Sequence, residues 1–415
     1  MEKLMRIKKY LSHQFIWVNL LAFILPILFK QTPAFILFFA LVVLVQSKLR
    51  VVKLQVQNKV WWFTSLYLFY LLATLWTEHT SELGAELETK LSLLIFPILF
   101  LFTKPLPKSI LNKVLLNFVL GCFVNVIAST INGYECFLEE GIVECFYSSR
   151  LAFSFHPSYL AMYLNFAVAI LLYFDVHKLN PYYIKRWMIW VLIIVFSVFL
   201  VLLSSKMGII TLFVVLLVFF LYHLKLYSWK RTIFKSLTPV VVFTICLLVA
   251  PVTQKRLQKM SEVVKDKMNN VQIDVAQAES NAARINVWEV AFSLAKDNFL
   301  IGLGTGDVTT TLVEAYKEKG MTEAADKRLN CHNQFFETFL ATGFFGFILL
   351  ASFMLVGIVL ALRRKSFIYL IYIVICGCHF MVESMLETQA GVVYFAFFNC
   401  LLFAQLNHIQ DNKVV

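Results

Sequence analysis

Long, unbroken apolar runs recur along the whole chain, at lengths suited to a hydrocarbon layer roughly 30 Å thick. Inside such a layer backbone N–H and C=O groups cannot reach water, so spanning segments must be helices or a closed barrel. The runs here are continuous rather than alternating, which selects helices. Composition agrees: the 415 residues are 60% hydrophobic and only 15% charged, with a mean hydropathy of +0.75. A soluble domain is roughly half apolar and about a quarter charged, and a single soluble core stops growing at about 250–300 residues. The expected fold class is all-α, a polytopic membrane helix bundle embedded in a lipid bilayer. The net charge of +12 does not point to nucleic acid, because the Lys and Arg residues are scattered through short loops with no basic, aromatic-interleaved face.

The apolar runs predict twelve spans, near 14–29, 33–46, 60–76, 91–103, 110–131, 155–174, 187–203, 207–224, 233–251, 334–361, 366–382 and 391–406. Alternate loops are basic, with Lys3, Arg6, Lys53, Lys108, Lys178, Lys230 and Arg363 among their charges. The opposite loops carry Lys30, Lys90, Arg150 and Lys206 against a larger set of acids that includes Glu78, Glu86, Glu140, Glu144, Glu383 and Glu387. An even number of spans then puts both termini in the cytoplasm. The first apolar stretch is not followed by a small-residue cleavage site, so it is expected to be a retained span. Three regions follow: spans one to nine over 1–251, a large outer loop over 252–333, and spans ten to twelve with a cytoplasmic tail over 334–415. Within the loop, Val263, Met268, Val271 and Val275 recur at helical steps. Gly302, Gly304 and Gly306 form what is expected to be a flexible turn, and a second helical stretch follows from Val308 to Lys319. The loop is expected to cap the outer mouth of the bundle.

Polar residues gather in five places, all assigned to the outer side by the charge alternation. These are Ser148–Arg150 with His156, Ser158 and Tyr159; Ser204–Gly208 around Lys206; Asn281–Arg284 with Trp288; Cys331–Gln334; and Glu383–Gln389. Five clusters on one side are what a single site built from many helices would produce. Each also has a plain structural reading. Lys206 can snorkel at a helix end, Arg284 can be a solvated charge, and His332 can cap a span. His156, ahead of Pro157, suits a first helical turn, and Glu383 and Glu387 can be loop charges. The glycines miss the phosphate-loop and dinucleotide spacings, and no zinc-type His or Cys spacing occurs. Cys331 beside His332 invites a nucleophile reading that nothing else in the sequence supports. Cys136 and Cys145 flank an acidic outer loop and are candidates for a disulfide in an oxidising compartment.

The run Arg284-Ile-Asn-Val-Trp288, the turn Gly302-Leu-Gly304-Thr-Gly306, and His332-Asn333 followed by Glu337, Gly343 and Gly346 together resemble the bacterial O-antigen ligase/polymerase superfamily. The motifs cover roughly residues 280–350, and the hydropathy pattern matches over the whole chain. The resemblance implies an inner-membrane enzyme that works at the periplasmic face. Its members move a glycan from a polyprenyl diphosphate carrier onto an acceptor hydroxyl, with inversion and without cofactor, metal or nucleotide. Acceptors are lipid A–core for a ligase and another carrier-linked glycan for a polymerase, with a protein acceptor as a third alternative; the ligase is the leading expectation. Carried onto this sequence, Arg284 and His332 become catalytic candidates. Lys206, Arg150, His156, Tyr159, Asn333 and Glu383 become substrate-binding candidates. The family often has Ser-Arg where this chain has Ser205-Lys206, and a lysine keeps the charge but not the bidentate fork that suits a phosphate. A polysaccharide or lipid transporter is the alternative from another class. It would call for paired, interrupted spans, which are not evident here.

Overall fold

The computed structural model describes residues 14–28, 31–48, 59–103, 106–179, 181–224 and 281–411. The expected ninth span over 233–251, the helical reading around Val263–Val275 and the boundary at 251/252 lie outside the described residues. In chain order the longer helices are α1 (Gln14–Ile24), α2 (Thr32–Lys48), α3 (Thr64–Leu72, with a tighter 3-10 turn at each end), α4 (Leu83–Lys90), α5 (Ser92–Leu101), α6 (Lys108–Glu140) and α7 (Pro157–His177). They continue with α8 (Arg186–Leu202), α9 (Lys206–Leu224), α10 (Asn281–Asp297), α11 (Val308–Glu318), α12 (Gln334–Arg363), α13 (Phe367–Phe380) and α14 (Gln389–Asp411). Among the described residues there is no strand, and the chain is an all-α helical bundle.

Lys108–Glu140, Pro157–His177, Gln334–Arg363 and Gln389–Leu406 are each long and apolar enough to cross a membrane. Shorter apolar helices occupy the expected first, second, third, seventh, eighth and eleventh spans. The fourth expected span is the short α5. At 33 residues α6 is about 50 Å long, longer than the run 110–131 that marked it. It reaches past a 30 Å layer into the acidic segment, and stops where Gly141 turns left-handed.

Helix α7 forms the axis. It is almost wholly buried and packs against α6, α8, α9 and α13. The side chain of Asn165, midway along it, donates from Nδ2 to Ala161 O and to Gly208 O of α9, both at 2.9 Å. Aromatic rings fill the space between α6, α7 and α14, with Tyr163 stacked on Tyr394 at 4.8 Å and Phe118 edge-on to Phe398 at 4.9 Å. Helix α12 is the opposite case: Phe345, Ile348, Leu355, Val359 and Leu362 lie exposed along it, as a lipid-facing surface would.

Two expectations change. The tenth span is not one continuous helix, because α12 breaks at Gly343 (φ 68°, ψ −165°). The break frees backbone groups that the segment after α10 satisfies: Leu303 N donates to Leu340 O at 2.7 Å, and Phe344 N donates to Phe299 O at 2.9 Å. The glycine run is likewise a packed crossing rather than a flexible turn. A Cβ on Gly302 would stand 2.6 Å from Gly343 N, and one on Gly343 would stand 2.2 Å from Leu300 O. Both residues also have positive φ, so close approach and backbone conformation each require glycine there. Beyond the crossing, Thr305 Oγ1 donates to Tyr70 O at 2.7 Å. Asp307 accepts the N–H groups of Glu78 and His79 at 2.8 and 2.7 Å, and Arg328 pairs with Glu82. Residues 302–328 thus pack onto the ends of α3 and α4.

Candidate functional site

Past the end of α13 the chain wraps through one more turn, with Glu383 N donating to His379 O at 2.9 Å. This carries the Glu383 carboxylate into the bundle, where it is 5% exposed. A buried carboxylate needs donors, and three separate segments supply them. Arg284 of α10 donates from Nη2 to Oε1 at 2.9 Å and from Nη1 to Val382 O at 2.6 Å. Ser158, in the first turn of α7, donates to Oε1 at 3.0 Å. His332, just ahead of α12, places Nδ1 3.5 Å from Oε2, an electrostatic contact at the limit of hydrogen-bond reach. Burial pushes the Glu383 carboxyl up, but His332, Arg284 and His156 outweigh it and hold the group down to about 2. Glu383 is therefore an anion at any working pH. Arg284 and His332 stay partly open, with side chains 29% and 24% exposed.

The other predicted residues divide. His156 caps α7, its Nδ1 accepting from Ser158 N at 3.4 Å, and it lies near enough to help lower the Glu383 carboxyl. Tyr159 is buried and donates to Ser384 O at 3.4 Å, which joins α7 to the Glu383 turn. Asn333 caps α12: its Oδ1 accepts from Phe335 N and Phe336 N, and its Nδ2 donates to Met381 O at 3.0 Å. The amide is thus used on backbone. Lys206 starts α9 with an exposed side chain, following the left-handed Ser204. Arg150 is committed to an exposed ion pair with Glu140. Cys136 and Cys145 are bonded, with Cα atoms 5.6 Å apart, closing the loop that extends α6. The structure therefore brings Arg284, His332, His156 and Glu383 to one place, and leaves Arg150 on the rim of the disulfide loop. Cys331 is fully buried beside Glu337, and burial followed by that carboxylate pushes its thiol well up. A thiol held in that form is a poor nucleophile.

A second polar cluster, at the other end of the 383–387 turn, escaped the sequence reading. Lys90, at the end of α4, is 2% exposed and pairs with both Glu86 and Glu387. Its ammonium lies 5.2 Å from the Tyr70 ring. Tyr70 OH bonds Thr338 Oγ1 at 2.9 Å, and Gln334 Nε2 donates to the same oxygen at 3.2 Å. The Glu86–Lys90 spacing of one helical turn was visible in the sequence, but Lys90 looked like one more outer-loop cation. No local signal placed Glu387 beside it.

An all-α bundle with long apolar helices, carrying a basic–acidic site at the meeting of several helix ends, defines a polytopic membrane protein. Residues 191–351 match the family model described as O-antigen ligase. Over that segment the chain is similar to the O-antigen ligase superfamily, which supports a membrane glycosyltransferase of the ligase or polymerase type. The matched segment contains Lys206, Arg284, His332 and Asn333, while Glu383 and Lys90 lie outside it. No curated protein matches the chain.

Proposed function

We propose that this protein is an O-antigen ligase. In this reading it transfers a glycan from a polyprenyl diphosphate carrier to a hydroxyl of lipid A–core, at the periplasmic face of the bacterial inner membrane. The observation that carries the reading is the meeting of Arg284 and His332 on one ionised, buried carboxylate, Glu383. In the step itself the acceptor oxygen bonds to the anomeric carbon as the bond from that carbon to the diphosphate oxygen breaks. The hydroxyl proton passes to the His332 imidazole, and the carrier diphosphate leaves as an anion. Direct displacement inverts the anomeric centre. Glu383 orients His332 and steadies the imidazolium as it forms, which makes Glu383 a positioning residue rather than a sugar contact. Arg284 is preorganised by Glu383 and Val382 O, and two of its five N–H donors are accounted for. With Lys206 it offsets the charge that develops on the leaving diphosphate, at no reorganisation cost during the reaction.

Deleting the gene and returning variants tests this. Loss of surface long glycan with long polymer left on the carrier supports the ligase. Single repeats left on the carrier would reassign the protein as a polymerase. Full transfer by a well-expressed His332→Ala protein would remove the proposed base. Orientation is checked separately: a Lys317→Cys protein should react with an impermeant thiol reagent in intact cells, and a Lys178→Cys protein should not.

A further inference from the structure

His332 and Glu383 stand in a connection and a turn, where no regular helical ladder fixes their separation. His332 has positive φ, and Glu383 sits past the end of α13. What joins the two segments is Glu337, in the first turn of α12 and 5% exposed. A single oxygen, Oε2, accepts from Cys331 N at 3.0 Å and from Ser384 Oγ at 3.1 Å. Cys331 and Ser384 are the chain neighbours of His332 and Glu383. The rest of the turn is tied down in the same direction. Gln334 Oε1 accepts from Leu386 N at 2.5 Å, and Lys90 holds Glu387. Trp288 Nε1 donates to Cys331 O at 3.0 Å, which fixes the helix carrying Arg284 to the same connection.

We propose that Glu337 is a positioning residue for transfer: by bridging Cys331 and Ser384 it sets the distance between His332 and Glu383. This rests on the base role given to His332 above. Glu337 itself touches neither reacting group. Its work is geometric, and a displacement of about 1 Å at a reacting group can cost about a hundredfold in rate. The bridge needs an acceptor at Oε2 and not a charge as such. A glutamine, whose carbonyl oxygen has two lone pairs, can keep both bonds, and a methionine of similar length can keep neither.

The test uses the full-length protein in nanodiscs with a carrier-linked glycan donor, measuring kcat and donor KM per folded molecule alongside thermal unfolding. Glu337→Met should lower kcat by about a hundredfold with donor KM unchanged, and Glu337→Gln should restore most of it. Ser384→Ala, which removes one hydroxyl from the bridge, should lie between the two. If Glu337→Met does not accumulate, Ser384→Ala against Glu337→Gln carries the same expectation. Wild-type kcat in Ser384→Ala and Glu337→Met, in a protein that His332→Ala inactivates, would overturn the positioning role while leaving the base in place. A lowered unfolding temperature with unchanged kcat would do the same, by showing that the bridge serves only the fold. Full activity in His332→Ala would instead undo the reading beneath it.

Discussion

Glu383 and Glu387 lie one turn apart in the same connection, and the protein treats them in opposite ways. Glu383 is held at about 2, because His332, Arg284 and His156 outweigh its burial. Glu387 is pushed well up by burial and by the neighbouring Glu86 and Glu337, against the pull of Lys90. The difference is one of stoichiometry. At Glu383 several cationic or polar donors serve one carboxylate; at Glu387 one ammonium is divided between two. Lys90 itself is raised, as Glu387 and Glu86 overcome its burial. The first cluster is open to a substrate through Arg284 and His332. The second is sealed, with Lys90 nearly inaccessible. Similar side chains thus make a partly open cluster at Glu383, the proposed reactive centre, and a closed fastening for the same turn at Glu387.

That contrast is easiest to break at its sealed end. Lys90→Met strips Glu86 and Glu387 of the ammonium they share and should cost about 3–5 kcal/mol, the scale for breaking a buried ion pair. Thermal unfolding of the purified protein reads this, and a small loss would mean that the cluster is wetter than its burial indicates. Next in size, at the open end, Arg284→Ala should cost roughly 3–4 kcal/mol of transition-state stabilisation, two to three orders of magnitude in rate. Arg284→Lys should retain part of the activity, since charge survives and the fork does not. Lys206→Arg should be tolerated. A transfer assay at matched protein level separates these outcomes.

Titration sharpens the comparison further. The folded value of Glu383 is depressed from 4.5 to about 2, so its stabilising contribution is present above 4.5 and is lost as pH falls towards 2. Glu387 is raised, so the sign reverses: stability from that group is present below its ordinary value and is lost as pH rises through the folded value. Unfolding temperature against pH should therefore lose its acid limb in Glu383→Gln, and lose a decline towards higher pH in Glu387→Gln. Curves that change in the same direction would refute the opposition. The smallest effect is expected at the rim. Arg150 and Glu140 are each about half exposed, so Arg150→Ala should change stability by at most about 1 kcal/mol and leave transfer intact. A large loss of transfer there would restore Arg150 as a substrate contact.

Much of this was legible in one dimension. Hydrophobic runs mark helices because a buried backbone in hydrocarbon leaves no other choice, and the described apolar helices overlap the expected runs from 14 to 224 and from 334 to 406. The family motifs marked Arg284 and His332, and the spacing of two cysteines around a turn marked Cys136 and Cys145. The reading was weaker where a residue's role depends on what stands opposite it. Asn333 carried the same motif signal as His332, yet its amide is used to cap a helix. Lys90 counted as a loop charge, yet it is buried between Glu86 and Glu387.

Sequence alone determined the class of the fold and the places where the apolar helices run, and it marked the residues proposed for transfer. Those properties depend on solvation and side-chain type, which are local. Only the tertiary structure decided that Glu383 would gather Arg284, His332 and Ser158, that Lys90 would be sealed between Glu86 and Glu387, and that α12 would break where Gly302 and Gly343 cross. Each depends on atoms brought within a few ångströms from distant parts of the chain, and a short-range polar contact leaves no periodic trace in the segments that make it.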